Sequence, residues 1–282
     1  MKEGGSGRVH EGALLLHAVI RRPNPCEVPA DDFAARGILR IFGTNQLCME
    51  IKTFIENFRH AFGERAALPI AVWYSDASVA ATGKSDGCIF RLLNRVAAGE
   101  TVSLNAENIG CGGGKFYCGY GEMPERVPNF VSLKERYKRT PELVREAVRD
   151  VPRAERVALN LARIDTLETF GGVEGLIFFA TPDQLSGLAA WAFYDRNDPD
   201  TVSALFGSGC SSVITQVVAE NVRGGYRSFL GFFDPSARIH IDSDLLTFAI
   251  PMSRFRVMYE TMPQSCLFDT HAWSKIRERM NG

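Results

Sequence analysis

The chain alternates short, wholly apolar runs with segments in which apolar residues recur at helical spacing. LPIAVWY (68–74) and GLIFFA (175–180) are short and rich in β-prone residues, so they predict buried strands. DGCIFRLLNRVAA (86–98) is closed by Gly99, and Thr181-Pro182-Asp183 is typical of a helix start. The alternation predicts an α/β or α+β fold, in which a mixed sheet is flanked by helices.

The remaining elements follow the same pattern and suggest an internal repeat. Further strands are predicted at 101–104, 156–164, 201–206, 228–233 and 246–250, and further helices at 140–148, 182–194, 211–221 and after Pro251. The tripeptide Thr-Val-Ser occurs at 101–103 and 201–203, each time before a glycine-rich turn that holds a cysteine. This order predicts two pseudo-repeated halves, 49–165 and 166–282.

Residues 1–48 differ from the rest because they are rich in glycine and proline and lack a period. A helical pattern begins just after Met49, with apolar side chains at 51, 54, 55, 58 and 62. We expect a poorly structured N-terminal extension at 1–48 and a single globular domain at 49–282. Met49 is a candidate biological start, and a genuine N-terminal arm is the alternative.

Charge and apolar content limit the classes of molecule that the protein is expected to bind. The formal net charge is −1, which favours neither nucleic acid nor an anionic membrane surface. The early apolar run ALLLHAVI (13–20) is too short to span a membrane. Seven cysteines at irregular spacing, with no export signal, indicate free or metal-bound thiols in a reducing cytoplasm. A small-molecule ligand is the expected partner, and a homo-oligomer is left open.

The stretch GCGGGKFYCGYGE (110–122) first suggests a phosphate loop. That motif needs a glycine five residues before its Gly-Lys pair and a Ser or Thr after the lysine. At Gly114-Lys115 the opening position is Ile109 and the next residue is Phe116, so the motif fails. At Gly83-Lys84-Ser85 the opening position is Ser78, so that register fails too.

A thiolate-bound metal is the first candidate function. Glycines beside a cysteine allow main-chain amides to point at its sulfur, as iron–sulfur and other thiolate sites require. Cys111 lies in the glycine stretch, and Cys88 and Cys210 are its proposed partners in a zinc or iron–sulfur site, with or without Cys118. The alternative for each is a buried free cysteine acting as a small apolar residue.

A reactive thiol is the second candidate. Cys210 stands between a predicted strand and a predicted helix, where the helix dipole would lower its pKa. His240 is the best-placed histidine to act as its base. The alternative to a catalytic role is that Cys210 is a small residue that fills a tight strand–helix junction. The sequence therefore leaves open whether the protein is an enzyme.

Non-catalytic binding of an anionic metabolite is the third candidate. Consecutive glycine amides can converge on an anion, and lysine or arginine would supply the counter-charge. The residues proposed for this role are Gly112, Gly113, Gly114, Lys115, Gly209, Ser211 and Arg238.

Several stretches taken together carry a family resemblance. They are NIGCGGGKFYCGYGE, LIFFATPDQLSGLAAWAFYD, FGSGCSSV, LGFFDPSAR, FAIPMSRFRVMYETM and WSKIRERM. In this order they resemble the domain of unknown function family DUF169, over residues 51–280. The resemblance implies a cytoplasmic protein with cysteines at positions 88, 111 and 210, and no settled activity. It also implies an apolar residue in place of Cys118 and no long N-terminal arm.

Overall fold

The computed structural model describes residues 49–281. The predictions for residues 1–48 lie outside the described residues. In the described part, apolar side chains from the predicted strands and helices form the layers of the fold. No helix in this part is both long and apolar enough to cross a membrane.

The centre of the fold is a mixed sheet of seven strands in the order β2-β3-β1-β4-β7-β6-β5. All neighbouring pairs are antiparallel except β5 and β6, which are parallel. The strands are β1 Ile70–Ser75, β2 Val102–Leu104, β3 Ala158–Arg163, β4 Gly175–Ala180, β5 Val202–Ser203, β6 Ser228–Gly231 and β7 Leu246–Pro251. The predicted mixed sheet flanked by helices is confirmed.

Helices connect the strands in the described part of the chain. The α-helices are α1 Ile51–Phe62, α2 Phe90–Ala97, α3 Gly112–Tyr117, α4 Val127–Asn129, α5 Pro141–Ala147, α6 Pro182–Ala192, α7 Gln216–Val222, α8 Pro235–Arg238, α9 Met252–Thr261 and α10 His271–Asn281. Two π-helical segments, Phe130–Lys134 and Ser211–Thr215, come before α5 and α7. Thr181 begins α6 with a capping box, as its Thr-Pro-Asp sequence predicts.

The sheet separates two apolar layers because side chains alternate along each strand. Leu176 and Phe178 of β4 face the layer that contains α1, α6, α9 and α10. Ile177, between them, faces the opposite layer, which contains α2 and the second π-helical segment. The glycine-rich turns lie in this second layer, and it is here that their cysteines meet.

Two local predictions differ from the structure. The strand predicted at 201–206 is reduced to Val202–Ser203, because it is an edge strand that pairs on one side only, with β6. The glycine stretch predicted as a turn contains the helix α3. One of the free N–H groups in its first turn, that of Gly114, donates to Cys111 Sγ at 3.3 Å. The two Thr-Val-Ser tripeptides overlap β2 and β5, which are the strands at the two opposite edges of the sheet. The duplication of the two halves stays a prediction.

Candidate functional site

A cavity of about 290 Å³ lies beside the second layer, where the two glycine-rich turns meet. Its lining includes Cys88, Cys111 and Cys210 together with side chains from residues 127–148, which we call the cap. The volume is at the lower end of the range for small-molecule sites. Cysteines 122 residues apart in sequence, from Cys88 to Cys210, therefore line one space.

Each cavity cysteine is positioned by a helix start. Cys88 lies two residues before α2, and Cys111 is the N-cap of α3. Cys210 directly precedes the second π-helical segment. Gly209 allows the chain just before Cys210 to pack closely against α2. Its α-carbon faces the Phe90 ring, and an added Cβ would lie 2.7 Å from Phe90 Cε2.

The thiols influence one another electrostatically. Burial raises the pKa of Cys210 well above its ordinary value, and the negative charges that Cys118, Cys88 and Cys111 would carry raise it further. Burial also raises the pKa of Cys88, against an opposing effect from the Phe90 N–H. The lowered Cys210 pKa expected from a helix dipole is therefore wrong, because desolvation outweighs the dipole at this site.

Cys118 belongs to the core and not to the cavity wall. It is fully buried among the apolar side chains of the second layer, and burial raises its pKa to about 12. Its main-chain carbonyl accepts a hydrogen bond from the Tyr74 hydroxyl at 3.0 Å. The two cysteines of the glycine stretch are thus placed differently, since Cys111 faces the cavity and Cys118 faces the core.

Unusual backbone geometry surrounds the cavity. Both π-helical segments found in residues 49–281 border it: the first supplies Phe130 and Val131, and the second follows Cys210. In the same part of the chain, three non-glycine residues have positive φ, and Arg136 (58°) and Phe232 (75°) are two of them. Arg136 stands between two lining residues, and Phe232 precedes Asp234 by two positions. Such features recur at functional sites because strain there is maintained by the surrounding packing.

The other residues predicted from sequence divide between the cavity and its surroundings. Gly113, Gly114 and Gly209 line the cavity. The described lining does not include Gly112, Lys115, Ser211, Arg238 or His240. Arg238 instead donates to the main-chain oxygens of Ser243, at 2.7 Å, and Leu245.

Sequence reasoning missed the cap and two polar groups of the cavity. Asp234 and Tyr117 both line it, and burial together with the nearby Cys210 and Asp234 raises the pKa of Tyr117. The Thr215 hydroxyl donates to the Tyr117 carbonyl at 2.7 Å, which ties α3 to the second π-helical segment. The Asp-Pro-Ser sequence at 234–236 gave a capping signal, but it carried no sign that the carboxylate faces the thiols.

A second concavity, of about 640 Å³, lies at the start of α1 beside residues 165–169. It begins at Met49, the first described residue, and its walls carry mostly exposed or half-exposed side chains such as Lys52 and Glu56. Its described lining contains no cysteine, histidine or tyrosine. The cavity with the three thiols therefore has the stronger chemical content, and we treat it as the candidate site.

The fold and site define a layered protein with a mixed sheet and a small thiol-lined cavity. Residues 66–261 match the model of the family DUF169, described as uncharacterised ArCR, and the chain belongs to that family. The match includes every cysteine of the cavity and the whole cap, and it confirms the resemblance found in the sequence. Searches of curated proteins and of solved structures gave no significant match.

Proposed function

We propose that the protein holds a thiolate-bound metal centre, iron–sulfur or zinc, through Cys88, Cys111 and Cys210. The observation that carries this proposal is the convergence of the three thiols, from three separate segments, on one cavity. Free cysteines are commonly buried one by one as small apolar residues, and that role gives no reason for three of them to share a cavity. Such a centre would serve redox or small-molecule chemistry in the reducing cytoplasm.

Electrostatics supports a cation at this position. Thiolates at positions 88, 111 and 210 would repel one another, and this repulsion contributes to the raised pKa of Cys210. A bound metal ion reverses the balance, because it stabilises all three thiolates at once and displaces their protons.

Metal binding would also have to organise the ligands. Within residues 49–281, no three His, Cys, Asp or Glu side chains are arranged closely enough to hold a metal ion. A cysteine side chain moves its sulfur by rotation about one bond, and metal binding commonly completes the ordering of its ligands. Cys88, Cys111 and Cys210 would therefore have to change side-chain rotamer to hold the metal, which would supply Lewis-acid or electron-transfer chemistry at the cavity.

The two alternatives have less support. A nucleophilic Cys210 would need a lowered pKa and a base, whereas its pKa is raised and His240 lies outside the cavity lining. The anionic-metabolite site would need its counter-charges, and Lys115 and Arg238 also lie outside the lining. The thiolate centre uses the residues that are present at the cavity.

Metal and sulfide analysis after anaerobic purification, together with a visible spectrum, tests the proposal. We expect a bound metal in the wild-type chain and an at least roughly tenfold lower content in Cys88→Ser, Cys111→Ser and Cys210→Ser, since each removes a ligand. Cys266→Ser and Cys118→Ala are the matched controls, because Cys266 and Cys118 are free thiols outside the cavity lining. A colourless, metal-free wild-type protein contradicts the proposal, and so does equal metal loss in the controls.

A further inference from the structure

The cap and Phe206 give the cavity an apolar half besides the thiols. Apolar side chains dominate this half. The apolar cap residues in the lining are Val127, Phe130, Val131, Val144, Ala147 and Val148, and the polar cap residues in the lining are Glu135, Tyr137 and Lys138. A thiolate centre alone gives no reason for a wall of this kind, so the cavity has room for something besides a metal.

The charged groups of the cavity already have partners in the protein. Asp234 accepts hydrogen bonds from the Ser236 N–H (3.0 Å) and hydroxyl (2.7 Å), as well as from Gly209 N (3.5 Å). The Lys138 ammonium lies 5.3 Å from the centre of the Phe206 ring. Glu135 interacts with the Tyr137 hydroxyl, whose pKa is raised by burial, by Asp234 and by Glu135. A charged ligand would have to displace one of these arrangements, whereas an uncharged one would not.

The cap is thinly packed on its own. Of its 22 positions, 127–148, only Pro128, Ser132 and Val144 are buried. Phe130 and Leu133 are 46% and 64% exposed. Of these two side chains Phe130 lines the cavity, so a ligand there would cover apolar surface that is now exposed, which is favourable.

We propose that the cavity binds a small, uncharged, mainly apolar organic molecule between the cap and the three thiols. This inference goes beyond the metal centre and does not depend on it, since the apolar half and the paired charges are present without metal.

Two fluorescent probes with the same aromatic skeleton test the charge and the polarity of the ligand. N-phenyl-1-naphthylamine is neutral, and 8-anilinonaphthalene-1-sulfonate carries one negative charge. With full-length protein stripped of metal by a chelator under reducing conditions, we expect saturable binding of the neutral probe. We expect binding of the sulfonate to be at least about tenfold weaker, because the described lining carries the carboxylates of Asp234 and Glu135, and its lysine, Lys138, would have to leave the Phe206 ring to reach the sulfonate.

A pair of matched variants locates the binding. Val148→Trp fills the cavity from the half-buried end of α5, and Val222→Trp adds the same bulk at the exposed end of α7, away from the cavity. We expect Val148→Trp to weaken binding of the neutral probe at least about tenfold and Val222→Trp to leave it unchanged. Ala147→Trp replaces Val148→Trp if circular dichroism shows that the latter does not fold.

Three results would overturn the inference: no saturable binding, equal binding of the two probes, or undiminished binding in the cavity-filling variant. If the probes give one of these results and the protein still binds metal through the three thiols, the further inference is wrong and the proposed function stands. Probe binding in a protein that never holds metal supports the inference and removes the metal centre.

Discussion

Gly209 holds the position that brings Cys210 against α2, so its replacement by alanine is the sharpest structural test. A Cβ at this position would lie 2.7 Å from Phe90 Cε2, 3.0 Å from Phe90 Cζ and 3.2 Å from Ala237 Cβ. Real Cβ contacts are almost never shorter than 3.0 Å, and the Phe90 ring is fully buried. The ring must therefore shift against its own packing.

We expect Gly209→Ala to lower the free energy of unfolding by about 1–3 kcal/mol, the usual cost of overpacking a core. For a chain of this size the midpoint temperature falls by about 2–4 °C per kcal/mol. Urea unfolding followed by circular dichroism measures the change. Gly83→Ala is the control, since its added Cβ has nothing within 4 Å, and we expect a change within about 0.5 kcal/mol there.

A double-mutant cycle identifies Phe90 as the cause. Phe90→Leu removes the ring atoms that the new Cβ would meet, so Gly209→Ala should cost less in that background by about 1 kcal/mol or more. Equal costs in the two backgrounds, within about 0.5 kcal/mol, would refute the argument that the Phe90 ring requires glycine at 209.

Two carboxyl groups predict pH effects of opposite sign. Hydrogen bonds from the buried Arg254 lower the pKa of Asp195. The ionised Asp195 therefore stabilises the fold above its unfolded pKa, and this stabilisation is lost as the pH falls through its folded pKa. We expect the free energy of unfolding of Asp195→Asn, measured in urea at several pH values, to lack this part of the acid sensitivity. Burial raises the pKa of Glu174, although the Tyr74 N–H donates to its carboxylate at 2.9 Å. The folded state therefore favours the neutral carboxyl group. We expect the free energy of unfolding of the wild type, relative to that of Glu174→Gln, to fall as the pH rises through the folded pKa. A wild-type-minus-variant difference that stays flat with pH would contradict either prediction.

Apolar periodicity predicted the central strands because burial on both faces leaves a strong pattern. The run 175–180 is the strand β4 at its predicted bounds, and the run 68–74 contains most of β1, which begins at Ile70. These strands lie in the middle of the sheet, where both faces and both edges are covered. The edge strand β5 has only two residues, since it has a neighbour on one side only, and a local pattern cannot distinguish it from a longer strand.

The glycine stretch was harder to predict because glycine has a low intrinsic helix propensity. Three consecutive glycines at 112–114 nevertheless begin α3, where the Cys111 sulfur caps Gly114 and where Gly114 packs near Cys111 and Ile89. Tertiary contacts override propensity here, and no pattern within thirteen residues contains them.

The candidate site could be predicted only in part. Cys111 and Cys210 could be selected from their glycine-rich surroundings and Cys88 only as a distant partner, and the structure places all three at one cavity. His240 and Arg238 were selected by residue type alone; Asp234, Ser236 and Ala237 of the same segment line the cavity, whereas the Arg238 guanidinium donates to the main-chain oxygens of Ser243 and Leu245. The role of the cap in the cavity was missed because its three helical pieces, α4, the first π-helical segment and α5, are short and mostly exposed, so burial leaves little periodicity in residues 127–148.

X-ray absorption at the metal edge of the anaerobically purified protein tests the central claim most directly, because it counts the sulfur atoms that surround the metal. For zinc, the account predicts three protein sulfur ligands at about 2.3 Å with one lighter ligand. For an iron–sulfur cluster, it predicts cysteine ligation that is lost in Cys111→Ser and retained in Cys118→Ala. A metal surrounded only by nitrogen and oxygen, or a sulfur count unchanged by removal of Cys111, would contradict it.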